Sequence, residues 1–200
     1  MLTLEVWDCQ LIETGSQIIE KRLQTVAKLN PLTRLMQRKI SGGQENIELH
    51  YIFNRKTEIL PTMNIMEQLE RAREENLADD LRFGMTQWGP HRDDLAITLN
   101  GINLKQYGSQ GQQRTAVLAL KLAELEFFRG ESGEYPILLL DDVLSELDQN
   151  RRLELINLIQ EKSIQCFITA TENFDFEIRE KRQLRSFSVN CGQITRIPNL

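Results

Sequence analysis

The chain has 200 residues, 40% hydrophobic and 26% charged, with a formal net charge of −5 at pH 7. That composition suits one substantial domain or two small ones and excludes intrinsic disorder, while the acidic balance argues against a polybasic nucleic-acid coat without excluding a local basic face. Three widely spaced cysteines (Cys9, Cys166 and Cys191) without a CxxC pattern, early acids in MLTLEVWDCQ and only short apolar runs predict a cytoplasmic chain without structural disulfide, zinc site, signal peptide or membrane span.

Leu4, Leu11, Ile18, Ile19, Leu23 and Val26 predict a long helix over residues 2–29. Asn30-Pro31 is expected to end it, because a residue before proline is pushed out of the helical region; a second helix then covers 32–40. Gly42-Gly43 breaks the pattern, ENIELHYIF (45–53) alternates as a strand does, and residues 64–81 carry Glu and Arg at helical spacing. Residues 1–83 thus read as a mainly helical first region. The character changes at residue 84. GPHRDDLAITLNGINL (89–104) reads as a turn, a strand and an Asn100-Gly101 hairpin. YGSQGQQR (107–114) leads into a helix whose stripe Ala116, Leu120, Ala123 and Phe127, with Val117 and Phe128 beside it, is expected to be buried. YPILLLDD (135–142), QNRRLELINLIQEK (149–162) and IQCFITATE (164–172) read as buried strand, helix and strand, a parallel βαβ unit. A basic helical stretch, FEIREKRQLR (176–185), and a hairpin turning at Cys191-Gly192 close the chain. The fold class is α/β.

Ser109 followed by Gln112 spells a capping box, which accounts for the serine and the glutamine. It does not account for Gly111, since glycine in a helix costs about 1 kcal/mol relative to alanine. A helix start stripped of side chains is also an anion site, because free N–H groups and the positive dipole end point outward together. Plain cap and phosphate-facing terminus both remain open on this segment alone. Asp141 and Asp142 stand at the carboxyl end of the apolar run, where ligands collect in parallel sheets. One carboxylate there suits Mg²⁺, which nucleotide sites hold with few protein ligands; capping of the next turn by Asp142 is the alternative. Asp148 is a natural cap for the helix starting at Gln149. His91 reads either as a turn residue satisfied by nearby carboxylates or, with Arg92, as a candidate contact to nucleotide phosphate or DNA. Arg179, Lys181, Arg182 and Arg185 suit either a solvated helix face or DNA phosphates.

In order, GPHRDDL (89–95), YGSQGQQR, TAVLALKLAE and LLLDDVLSELDQNRR (138–152) resemble the RecF family, a branch of the ABC-type, SMC-like ATPase heads. The resemblance implies that residues 84–200 are the C-terminal part of such a head and that 1–83 correspond to its lid. It implies that Ser109, Gln110, Gly111 and Gln112 form the signature loop, which meets the γ-phosphate of ATP bound by the other subunit. Asp141 becomes the Walker B acid that holds Mg²⁺, and Asp142 the residue that orients the attacking water. Ser145 and Asp148 become the D-loop at the dimer seam. The switch histidine of ABC heads has no counterpart here, where only Thr169, Thr171 and Glu172 are available. No GxxxxGK[ST] occurs in these residues. The phosphate cradle that this motif builds is therefore expected in a further, N-terminal segment of a longer protein.

The implied function is an ATP-closed homodimer that binds DNA at single-strand gaps and, with a mediator such as RecR, helps load a recombinase. Two other classes stay open at this point: a Mg²⁺-dependent nuclease or phosphohydrolase built on His91, Asp93, Asp94, Asp141 and Asp142, and a non-catalytic interaction module.

Overall fold

The computed structural model describes residues 2–55, 64–171 and 185–197. Met1–Leu138 and Leu139–Leu200 each pack as a compact unit.

The first unit is organised by α1 (Leu2–Ile40), one 39-residue helix with Pro31 inside it. The expected break at Asn30-Pro31 does not occur. A proline removes one helical hydrogen bond, but packing outweighs propensity where a helix is held along its length. Here the Asn30 amide donates to the Leu49 carbonyl at 3.3 Å and accepts the Leu49 N–H at 3.2 Å, clamping α1 to strand β1 (Ile47–Ile52). Ile12, Ile19, Met36 and Ile40 of the same helix are buried.

Strand β1 pairs antiparallel with β2 (Asp94–Leu99), Ile47 opposite Leu99 and Ile52 opposite Asp94. The short β3 (Ile102–Asn103) returns through the predicted Asn100-Gly101 turn, where φ is 50° and 79°. Helix α2 (Ile65–Phe83) starts at a capping box between Asn64 and Glu67 and stops at left-handed Gly84. Leu69 and Ala72 of α2 join Ile12, Ile19, Phe53 and Trp88 in one core cluster. Trp88 is fully buried, and its indole N–H donates to Asp80 at 2.9 Å, which anchors the segment leading into GPHRDD.

After the single turn α3 (Leu104–Tyr107) comes α4 (Gln110–Ser132), which packs along α1. Its buried residues are Thr115, Ala116, Leu118, Ala119, Leu122, Ala123 and Leu125, so the buried face is rotated from the expected stripe. Val117 and Phe128 are exposed. The helix offers more apolar residues than one face can bury, and the small Ala116, Ala119 and Ala123 face inward, where a low surface lets two helices approach.

In the second unit, β4 (Leu138–Asp141) and β5 (Cys166–Thr169) form a two-stranded sheet, joined by a 3-10 turn at Val143–Glu146 and helix α5 (Gln149–Glu161). The last residues of both strands, Asp141 and Thr169, are hydrogen bonded, so the strands run parallel as expected. Leu138 and Leu140 are buried, but Ile137 and Leu139 are 57% and 73% exposed. The expected fully buried run is therefore buried on alternate residues only, because side chains alternate across a sheet and the described residues cover one of its faces. Strands β6 (Ser186–Asn190) and β7 (Gln193–Ile197) form the terminal hairpin through Cys191 and Gly192, both at positive φ. Arg179, Lys181, Arg182 and Glu172 lie outside the described residues; Arg185 is exposed. Among the described residues no helix is long and apolar enough to cross a membrane.

Candidate functional site

The start of α4 is held from three directions. Ser109 Oγ accepts the Gln112 N–H at 3.2 Å, and Gln112 Oε1 accepts the Ser109 N–H at 3.0 Å, completing the predicted capping box. Gln113, to which no motif in the sequence gives a role, donates its amide to the carbonyls of Leu104 and Gly108 at 3.1 and 3.2 Å. Thr115 donates its hydroxyl to the Gly111 carbonyl at 2.7 Å.

The two glycines have different reasons. A Cβ on Gly108 would stand 2.6 Å from the Leu104 carbonyl oxygen, so that position is closed to any side chain by the tight turn out of α3. A Cβ on Gly111 would meet nothing within 4 Å. Ser109, Gln110 and Gly111 are all exposed. The first backbone bond of the helix runs from the Gln113 N–H to the Ser109 carbonyl, so the N–H groups of Gln110 and Gly111 precede any acceptor in the helix itself. The result is a rigid, uncovered helix start.

The second unit gathers Asp141, Asp142, Ser145, Asp148 and Thr169. Asp141 ends β4, exposed, with Oδ1 accepting the Thr169 hydroxyl at 2.5 Å. Asp142 breaks the strand in a left-handed conformation, φ 50° and ψ 22°, which residues with a Cβ adopt at a cost. Its N–H donates to Thr169 Oγ1 at 3.0 Å and its carbonyl accepts the Ser145 hydroxyl at 2.8 Å. The side chain of Asp142 caps nothing, contrary to the alternative drawn from the sequence. Its Oδ1 is buried without a hydrogen-bond partner among the described residues, a costly state unless another group, an ion or water completes it. Asp148 caps α5, accepting the Arg151 N–H at 3.0 Å. Arg152, another residue that no motif singles out, pins the intervening turn by donating to the Leu144 and Leu147 carbonyls at 2.9 and 3.1 Å.

The residues of GPHRDD do structural work. His91 Nε2 lies 3.3 Å from the Thr86 carbonyl, so its partner is a main-chain oxygen and not the expected carboxylates. The Arg92 guanidinium donates to the same carbonyl at 3.0 and 2.8 Å. Asp93, its side chain 1% exposed, accepts the Asn54 N–H at 2.7 Å and the Tyr51 hydroxyl, with Arg22 4.0 Å away. Burial and then the bond to Asp93 push the Tyr51 phenol up to about 12. Asp94 accepts the Leu95 N–H and lies 3.7 Å from Lys105. Among the described residues no three His, Cys, Asp or Glu side chains gather as a metal site. The Asp141-Asp142 pair still fits Mg²⁺ bound through one or two carboxylates with nucleotide and water completing the shell, and the orphaned Asp142 Oδ1 is consistent with that chemistry.

Comparison with known proteins gives one consistent family. No protein-family model matches the chain. It is 47% identical over 201 residues to the DNA replication and repair protein RecF of Halothermothrix orenii, covering 98% of this chain and 53% of that protein. It is 46% identical to the RecF of Alkaliphilus oremlandii over 96% of this chain and 53% of the relative. A solved structure of the recombination mediator protein RecF with ATP, from the RecFOR pathway, superposes with a TM-score of 0.79 at 37% identity, covering 98% of this chain and 51% of the other. An SMC ATPase structure, 15% identical, matches with a TM-score of 0.52 over 89% of this chain and 87% of its own, which supports the α/β head fold alone. The chain spans about half the length of the curated relatives it matches.

Proposed function

This chain belongs to the RecF family, and we propose that it supplies the signature loop, the Walker B acids and the D-loop of an ATP-dependent DNA-binding protein of recombinational repair and replication. In this reading a further segment carries the Walker A phosphate cradle, and two subunits close on ATP. The N–H groups at Gln110 and Gly111, rigidly presented by the capping box, receive the γ-phosphate of a nucleotide held by the other subunit. Asp141 would hold Mg²⁺, which supplies neutralisation of phosphate charge when bound. Asp142 orients the attacking water, and its short side chain suits slow turnover. Ser145 and Asp148, tied into the turn by their own hydrogen bonds, lie at the dimer seam. The exposed Ile137, Leu139 and Phe167 suit a sheet that continues in residues beyond this chain. DNA at single-strand gaps and a mediator such as RecR are the proposed partners, in the cytoplasm.

The observation that carries the reading is Asp142: left-handed at a strand end, with a buried oxygen that no group among the described residues satisfies. The test is made in the full-length protein. Asp141→Asn is expected to weaken Mg²⁺-dependent nucleotide binding, whereas Asp142→Asn slows hydrolysis by about 100-fold or more and leaves ATP affinity within about threefold. Isothermal calorimetry and single-turnover phosphate release separate the two. Equal loss of affinity in both variants overturns the assignment.

A further inference from the structure

We propose that Thr169 is the positioning residue of the two-acid site, a role that rests on the reading of Asp141 and Asp142 above. Thr169 ends β5, and its hydroxyl has one proton to donate and lone pairs to accept with. The proton goes to Asp141 Oδ1, and a lone pair takes the Asp142 N–H at 3.0 Å. A single side chain from the neighbouring strand therefore sets two consecutive residues with different tasks.

The first bond ties down Asp141 Oδ1 and restrains rotation of the carboxylate, so that in this reading the other oxygen is the one that would meet a cation. The second bond holds Asp142 at φ 50°, the conformation in which its Oδ1 is buried and has no partner among the described residues. A residue with a Cβ keeps a left-handed conformation at a cost, which its surroundings must offset. Here the Thr169 hydroxyl accepts the N–H and the Ser145 hydroxyl donates to the carbonyl, so both polar groups of the Asp142 backbone are pinned. Threonine suits the task better than serine in one respect. Its β-branch restricts χ1, so the hydroxyl is pre-set on the strand. Groups that orient a metal-binding carboxylate matter in proportion, their loss typically costing about 10–100-fold in metal affinity or activity.

The experiment compares Thr169→Val, which keeps the shape and removes the hydroxyl, with Thr169→Ser, which keeps the hydroxyl, in the full-length protein. Thr169→Val is expected to raise the Mg²⁺ concentration for half-maximal ATP turnover by about tenfold and to lower kcat by about tenfold, with the KM for ATP at saturating Mg²⁺ within about threefold. Electron paramagnetic resonance of Mn²⁺ with a non-hydrolysable ATP analogue reads the same loss of affinity without any turnover. Thr169→Ser is expected to stay within about threefold of the wild type in both measurements. An unchanged Mg²⁺ requirement in folded Thr169→Val overturns the role, as does equal loss in Val and Ser variants, which would make the residue a packing group. If Thr169→Val does not fold, Thr169→Ser decides: a tenfold rise in its Mg²⁺ requirement overturns the proposal and retention supports it. A wild-type protein that fails to bind Mg²⁺ with ATP sinks the nucleotide reading itself, an outcome distinct from all of these.

Discussion

Tyr51 and Asp93 show how a polar pair inside the first unit serves stability. The Asp93 side chain is nearly inaccessible, and the Asn54 N–H, the Tyr51 hydroxyl and the Arg22 guanidinium surround it, as a buried polar group requires. The reciprocal effect falls on Tyr51, whose phenol rises to about 12 from an ordinary 10.0. A raised folded-state value means the neutral phenol is the form that the fold favours. Its contribution is fully present below pH 10 and is lost as pH climbs through 12. Between those limits the wild type should therefore lose unfolding free energy that Tyr51→Phe does not lose. Urea titrations of both proteins at several pH values measure the difference, in which the other titrating groups cancel. Parallel curves for the two proteins remove this role from Tyr51. Asp142 is the opposite case, a residue whose backbone and side chain are both held in costly states, as functional positions often are.

At the scale of elements, the start of α4 separates a glycine that the turn requires from one that it does not. Gly108→Ala must push the new Cβ against the Leu104 carbonyl at 2.6 Å, a backbone atom that cannot swing away. The cost is expected to be about 1–3 kcal/mol, together with loss of the Gln113 bonds across that turn. Gly111→Ala enters open space in a helical conformation and is expected to stabilise the fold by about 0.5–1 kcal/mol. If the resident glycine is there for phosphate to approach, the same change weakens ATP-dependent dimerisation of the full-length protein. Denaturant midpoints and sedimentation with ATP give both numbers. A Gly111→Ala protein that is more stable and dimerises normally would leave only the plain cap. Helix α1 makes the complementary point. Its continuity through Pro31 rests on the neighbouring Asn30 amide, which satisfies both backbone groups of Leu49 on the free side of β1.

For the whole molecule, the proposed reading makes association the property to test. Ser109→Arg places a bulky cation on an exposed helix start and leaves the rest of each unit untouched. Loss of the cap costs about 0.5–2 kcal/mol, which a domain of about 5–15 kcal/mol survives. The full-length variant is expected to melt nearly as the wild type, bind ATP with one subunit, and fail to dimerise on ATP. Sedimentation velocity with and without nucleotide checks this, and a variant that still dimerises reduces Ser109 to a cap.

Features set within a few residues of one another are legible in the amino-acid sequence by itself: the Ser109 and Gln112 box, the Asn100-Gly101 and Cys191-Gly192 turns, the Asp148 cap, and two acids after an apolar strand. Each depends on local backbone geometry, which the side chains at those positions dictate directly. What only the tertiary structure decided involves partners far apart in the chain. Asn30 reaches 19 residues to Leu49 and overrides the proline signal. The α4 face that is buried depends on how α1 lies against it, which no periodicity within α4 can state. Thr169 reaches 28 residues back to Asp141, so its hydroxyl reads in the sequence as an ordinary strand-end group, and only the parallel pairing of β4 and β5 brings it to the acids. Local chemistry wrote the motifs, and packing chose which of their atoms meet.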